Sequence, residues 1–185
     1  VEGYVSVGGL VGENDGTVFS SYSAGSVVGS YLSIGGLVGE NNSEILDSYS
    51  ISSAKGYDYV GGLVGYNYND GTISHTYSAG LVVSSGTYVG GLIGVNSNTS
   101  VDSVVRSYWD IETSGQASSF GGEGKTTAEM KQQATYVDWD FINTWTIVEG
   151  VSYPYLQELG PTQLPGIPDT KEISTLEELS KIGLD

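Results

Sequence analysis

The chain has 185 residues and a formal net charge of −16, with 22 acidic against 6 basic side chains and no cysteine. That charge is repelled by nucleic acid and by anionic membranes, which excludes both as natural partners. The missing thiols exclude disulfide frameworks and thiolate metal sites. No apolar run reaches the roughly 18 residues of a membrane-spanning helix, so direct membrane insertion of this segment is not expected. No leader is recognisable, because Val1 already stands inside a recurring pattern; the chain reads as a piece of a longer protein.

The pattern is a repeat. "VGGLVGEN" (7–14), "IGGLVGEN" (34–41), "VGGLVGYN" (60–67) and "VGGLIGVN" (89–96) match at nearly every position. Their first glycines are Gly8, Gly35, Gly61 and Gly90, spaced by 27, 26 and 29 residues. A second block follows each, "SSYSAGSV", "DSYSISSA", "HTYSAGLV" and "RSYWDIET", with tyrosines at 22, 49, 77 and 108. The segments between glycines are short and rich in Val, Ile, Thr and Tyr, as strands are, and turn signals such as Asn14-Asp15-Gly16 and Asn69-Asp70-Gly71 recur at equivalent places. A period near 27 without helical periodicity fits one coil of a β-solenoid, with about three strands and three corners. The expected fold is all-β: a parallel, right-handed β-solenoid (β-helix) of about four coils over residues 1–115.

Coil-on-coil stacking makes specific demands. Leu10, Leu37, Leu63 and Leu92 are expected to form one inward stack, with Val18, Ile45, Ile73 and Val104 a second and Val7, Ile34, Val60 and Val89 a third. Asn14, Asn41, Asn67 and Asn96 occupy one corner, where an asparagine ladder is predicted. The structural repeat also includes Gly9, Gly12, Gly36, Gly39, Gly62, Gly65, Gly91 and Gly94, which let the backbone bend and approach its neighbour closely. A small residue precedes each tyrosine (Ser21, Ser48, Thr76, Ser107), which makes it the candidate for the interior. Tyr22, Tyr49, Tyr77 and Tyr108 then form an outward surface ligand ladder, unless a bend between the blocks reverses the two.

The Gly-Leu-hydrophobic-Gly core, the asparagine after it and the "SYS" block resemble the GLUG repeat family over residues 5–110. The second repeat departs from the pattern, with Ser43-Glu44 where the first and third have Gly-Thr. The resemblance implies a bacterial or archaeal protein that is secreted or exposed at the cell surface, adhesins among its kin, and brings no catalytic residues with it.

After Tyr108 the repeat dissolves, and residues 116–159 read as a C-terminal capping segment. Thr126 with Glu129 fits a capping box, predicting a helix over about 126–134. Trp109, Trp139, Phe141 and Trp145 belong to an aromatic plug expected to cover the last coil, whose bare ladder edges would otherwise template aggregation. Sugar binding is the other use of the three tryptophans. Residues 160–170 carry three of the four prolines and read as a linker. Residues 171–185, with Ser174 and Glu177 as another capping box, read as the truncated start of a further module.

Motifs with chemical overtones are weak. "GGEGKTT" (121–127) ends like a phosphate-binding loop, but Ser119 stands where the first glycine is needed. Ser20, Asp47, His75 and Arg106, two before each tyrosine, would align on successive coils; some carbohydrate-cleaving β-helices use such a column, while a solvated polar column is the plainer reading. No cofactor is expected. Calcium is the most plausible ion, near Asp15, Asp70, Asp110 or Glu112, although no segment has the ligand density of a calcium loop. Asn41-Asn42-Ser43 and Asn98-Thr99-Ser100 fit the glycosylation pattern. The expected function is that of a non-enzymatic stiff spacer and adhesive surface, meeting a glycan or protein on another surface. The alternatives are a subunit that assembles with copies of itself into a filament or surface layer, and a polysaccharide-degrading enzyme.

Overall fold

The computed structural model describes residues 1–68 and 70–159; the expected linker and further module, with Ser174 and Glu177, lie outside the described residues. The repeat winds into a parallel β-solenoid of four coils, and corresponding strands of successive coils pair into five ladders. The first ladder joins Glu2–Gly3, Ser26–Gly29, Ser53–Gly56 and Val82–Ser84, and the second joins Val7–Gly8, Leu32–Gly35, Asp58–Gly61 and Val89–Gly90. The third joins Val11–Asn14, Val38–Asn41, Val64–Asn67 and Ile93–Asn96; the fourth joins Thr17–Phe19, Glu44–Leu46, Thr72–Ser74 and Val104–Val105. The fifth joins Tyr22–Ser23, Tyr49–Ser50, Tyr77–Ser78 and Tyr108–Asp110, and adds Glu123–Lys125 beyond the last coil.

Each coil therefore has five short strands rather than three. The additional corners are made without glycine. Ser6, Ser33 and Tyr59 take positive φ values of 52°, 61° and 55°, and Ser20, Asp47, His75 and Arg106 take 44°, 46°, 50° and 48°. Left-handed geometry costs a side-chain-bearing residue energy, so a Gly-based reading of turns passes over these bends.

The repeat glycines serve a different purpose. None lies in the left-handed region. A Cβ on Gly35 would stand 2.8 Å from both Gly65 N and Leu63 O of the next coil, and one on Gly39 would stand 2.6 Å from Gly12 O of the preceding coil. Glycine is required because coils approach backbone to backbone here, with no room for a side chain.

Register holds through the repeat: Asn14, Asn41, Asn67 and Asn96 stand in line, and so do Tyr22, Tyr49, Tyr77 and Tyr108. Glu44 takes the rung between Thr17 and Thr72, so the Ser43-Glu44 departure leaves the ladder intact. The stacks Leu37/Leu63/Leu92, Val18/Ile45/Ile73 and Val38/Val64/Ile93 form one inner cluster; Val7, Ile34 and Val60 form another with Val27, Ala54 and Val82. Leu10 differs from expectation. It is 51% exposed, because its burial depends on a neighbour coil that no described residue supplies.

Candidate functional site

The tyrosine column is where the structure departs furthest from the sequence reading. The αL bend at Ser20, Asp47, His75 and Arg106 turns the chain just before each tyrosine. The small residue next to the bend is buried at Ser48, Thr76 and Ser107, and in the first three coils the serine after the tyrosine, Ser23, Ser50 or Ser78, points into the coil. Ser23 Oγ and Ser78 Oγ each donate 2.5 Å bonds to the carbonyls of Gly36 and Gly91. Strand alternation then sends the tyrosines to the opposite face of the ladder. That face is covered. Tyr49 and Tyr77 are fully buried, Tyr108 is nearly so and Tyr22 is partly buried, so the expected surface ligand ladder is corrected to a buried one. The rings stack from coil to coil, Tyr22 on Tyr49 at 5.3 Å and Tyr49 on Tyr77 at 5.0 Å with planes 3° apart.

The cover is the C-terminal segment, and it lies along the side of the solenoid rather than over its end. Met130, Tyr136, Trp139, Trp145, Tyr153 and Leu156 pack on the tyrosines, with Phe141 half-buried beside them. A two-stranded antiparallel pair, Trp145–Thr146 with Tyr155–Leu156, holds this strap together. A row of tyrosine faces is a long apolar stripe, and burying it favours a lateral course over a terminal plug. The variable column supplies the attachment points. Trp145 Nε1 donates to Asp47 Oδ1 at 3.1 Å, the His75 ring meets Trp139 edge-on at 6.3 Å, and Arg106 pairs with Asp138 at 2.8 Å. Trp139 Nε1 also donates to Arg106 O at 2.9 Å. Ser20 reaches the strap across a cleft of about 140 Å3 shared with Phe19, Asn143, Thr144, Leu156 and Glu158. The column that resembled a catalytic face is the docking register of the strap.

The predicted helix is shorter than 126–134. The Thr126/Glu129 capping box forms, but the helix spans Thr127–Met130, followed by a 3-10 turn at Gln133–Thr135. Tyr136 Oη donates to Met130 O at 2.6 Å and Thr135 Oγ1 to Glu129 O at 2.6 Å, capturing carbonyls that a longer helix would need. A second helical turn, Ile111–Ser114, begins at an Asp110 N-cap and ends at left-handed Gly115. The Asp and Gly flanking it are the sequence signal that could have found it.

Closure of the last coil falls to other residues. Trp109 occupies the rung of Ser78 and turns inward, ending the inner core, and its Nε1 donates to Gln116 O at 3.0 Å. From the second coil onward the Leu carbonyl accepts two backbone N–H groups from the coil before, as Leu63 O does from Leu37 N at 2.9 Å and Val38 N at 3.0 Å. After the last coil Ser119 Oγ takes that place, accepting from Leu92 N at 3.2 Å and Ile93 N at 2.9 Å. The strap is tied here by Asp110, whose buried carboxylate accepts from Tyr153 Oη at 2.6 Å, Thr127 Oγ1 at 2.7 Å and the N–H groups of Glu112 and Thr113.

Burial raises the hydroxyls of Tyr49, Tyr77, Tyr108, Tyr136 and Tyr153 above the ordinary phenol range, desolvation of the anion being the main cause in each. No cluster of three metal-ligating side chains occurs among the described residues. Asp15 accepts from Asn42 at 2.8 Å and Glu112 from Thr127 N at 2.8 Å, while Asp110 is engaged as described. Lys125, in the segment resembling a phosphate loop, lies on a strand and pairs with Glu123 at 2.6 Å. Asn41 is fully buried in its ladder, which removes it as a glycosylation site in the folded chain.

A second tyrosine column is exposed. Tyr4, Tyr31 and Tyr57 stack at 5.4 Å and 6.3 Å with planes 11° and 6° apart, and stand 68%, 43% and 50% exposed. Each lies four residues before the first glycine of its coil, a constant offset through which the column was visible in the sequence.

A circuit of the third coil runs from Gly56 through Asp58–Gly61, Val64–Asn67, Thr72–Ser74 and Tyr77–Ser78 to Val82–Ser84. A family model of the GLUG motif matches that circuit, residues 56–84. This coil is a GLUG motif. The GLUG unit is thus one full turn of the solenoid, and the coils around it repeat its Gly-Gly-Leu corner, its asparagine and its tyrosine in register. The GLUG family is typical of surface proteins. No curated protein and no solved structure matches the chain.

Proposed function

We propose that this chain is a non-enzymatic module of a secreted or cell-surface protein, acting as a stiff spacer that carries an adhesive face. The observation that supports it best is the continuity of five parallel ladders through four coils, tied laterally by a strap that reaches back from the last coil. At about 4.8 Å per coil the repeat adds roughly 19 Å of rod. Bending it would break ladder hydrogen bonds on one side and strap contacts on the other.

The adhesive face is the Tyr4–Tyr31–Tyr57 column, since the other tyrosine column is spent on the strap. Half-exposed phenols offer apolar edges and hydroxyls together, a combination suited to a glycan or a protein surface. The net charge of −16 favours a neutral or basic partner over a polyanion. The engagement of Asp47, His75 and Arg106 with the strap weighs against a catalytic column. A screen on glycan arrays and matrix proteins tests the reading. Binding that Tyr31→Ser weakens at unchanged stability is expected. Binding to none of these surfaces leaves the spacer role and removes the adhesive one.

A further inference from the structure

The two ends of the solenoid are chemically different. At the end of the fourth coil, Ser118–Gly122 imitate a following coil. Ser118 O accepts from Gly91 N at 3.1 Å, Ser119 Oγ accepts the Leu92 and Ile93 N–H pair, and Phe120 N donates to Ile93 O at 3.2 Å. Gly121 and Gly122, with φ of 141° and 83°, then turn the chain away. The face of the first coil has no such cover among the described residues. Leu10 is 51% exposed and Tyr4 68%, the outer face of its ring continuing a stack that Tyr31 completes on one side only.

The asparagine ladder has a direction. Asn14 Nδ2 donates to Asn41 Oδ1 at 2.7 Å, Asn41 Nδ2 to Asn67 Oδ1 at 2.8 Å, and Asn67 Nδ2 to Asn96 Oδ1 at 2.9 Å. Each of these side-chain bonds between coils runs from one coil to the following one, so the first coil presents an acceptor at this corner. Among the described residues Asn14 Oδ1 accepts only the N–H of Gly16, at 3.3 Å. Leu10 O is the counterpart of the Leu37, Leu63 and Leu92 carbonyls, each of which takes two N–H groups from the coil before it, and no described residue donates to it.

We propose that the first-coil face is a docking surface for one further coil of the same repeat, carried ahead of Val1 on the same polypeptide and stacked in parallel. Its asparagine Nδ2 donates to Asn14 Oδ1, and the N–H groups of its Leu-Val pair donate to Leu10 O. Its paired glycines meet the first coil's backbone as Gly35 and Gly36 meet the next coil's. A second copy of this chain cannot supply that coil by stacking, because its matching face is closed by Ser118–Gly122. Two copies meeting face to face would bring the acceptors Leu10 O and Asn14 Oδ1 of each to a seam where these positions need donors. A free single coil is a poor occupant, since ordering it costs more than one face repays; tethering raises its local concentration to roughly millimolar. The module thus ends an array at one side and continues it at the other. Neither the open face nor its occupant depends on the adhesive role of the exposed tyrosines.

The test exploits a chain without cysteine. Leu10→Cys places one thiol on the exposed face. A copy of residues 28–53 joined ahead of Val1 keeps the register in which Val1 takes the place of Ala54. Maleimide labelling of that thiol is expected to slow at least tenfold in the extended chain, with a higher thermal midpoint. An extension carrying Asp for its asparagine and Ala for its paired glycines is expected to leave labelling fast. Equal protection by both extensions, or by neither, overturns the proposal. So does a disulfide forming readily between two copies of the unextended Leu10→Cys variant, which would show that the face pairs with itself.

Discussion

Asn41→Ala probes the directional ladder most directly. Asn41 is fully buried, donates to Asn67 Oδ1 at 2.8 Å and Ser43 O at 2.9 Å, and accepts from Asn14 Nδ2 at 2.7 Å. Alanine leaves Asn67 Oδ1 and Ser43 O short of a donor, whereas Asn14 Nδ2 keeps Glu44 O at 3.1 Å. Each orphaned buried group costs about 1–3 kcal/mol, so the expected loss is about 3–5 kcal/mol. For a chain of this size that lowers the midpoint by roughly 6–20 °C. Asn14→Ala takes the donor from the buried Asn41 Oδ1 and from Glu44 O, whose residue is exposed and can turn to water, so it should cost about 1–3 kcal/mol, less than Asn41→Ala. The assay is urea unfolding followed by far-ultraviolet circular dichroism, with tryptophan fluorescence reporting the strap separately. A loss at Asn41 below about 1 kcal/mol, or one equal to that at Asn14, would refute the reasoning, because the ladder would then carry no energy that depends on having neighbours on both sides.

Three further expectations concern the strap. Tyr49 Oη has no hydrogen-bond partner among the described residues, while Tyr77 Oη donates to Pro154 O at 2.7 Å. Tyr49→Phe should therefore be neutral or stabilising by up to about 1 kcal/mol and Tyr77→Phe destabilising by about 1–2 kcal/mol, measured by paired urea curves. Asp110→Ala should release the strap, since four donors lose one acceptor group; a cost of about 3–5 kcal/mol, with early hydrogen exchange over residues 127–157 and slower exchange in the coils, is expected. Alkali supplies the third. Tyr49, Tyr77, Tyr108, Tyr136 and Tyr153 hold their protons more tightly folded than unfolded, so above the ordinary value of 10.0 the unfolded state binds fewer protons and stability falls. Each contributes at most about 1.4 kcal/mol per pH unit, and solvent screening lowers the share of Tyr108 and Tyr153 at the rim of the column. This stability is fully present below the ordinary value of 10.0. Unfolding followed by tyrosinate absorbance should be steep from about pH 10 upward; a flat midpoint to about pH 12 would contradict the burial of the column.

The repeat was legible because its determinants are local and recur in line. Gly-Gly-Leu, the asparagine and the tyrosine each repeat at one coil length, and any residue so spaced must stack on its counterpart once strands pair in parallel. From that follow the solenoid, the inward stacks and the asparagine ladder. Sequence alone also placed the capping box at Thr126, whose partner is three residues away. The facing of Tyr49 was not decidable that way. It turns on the φ of Asp47, a residue that adopts positive φ without announcing it, and on a Trp145 that arrives from 98 residues later to accept the exposed stripe. Leu10 and Leu37 are alike in sequence and opposite in burial, because burial belongs to the neighbour coil and not to the residue. What the sequence determined by itself was the coil: its period, its inward stacks and the corner where only glycine leaves room for the next backbone. What tertiary structure alone decided was how each outer face is used, strap against one tyrosine column and, among the described residues, none against the other. Only the three-dimensional path of residues 126–157 sets which apolar surface is removed from water.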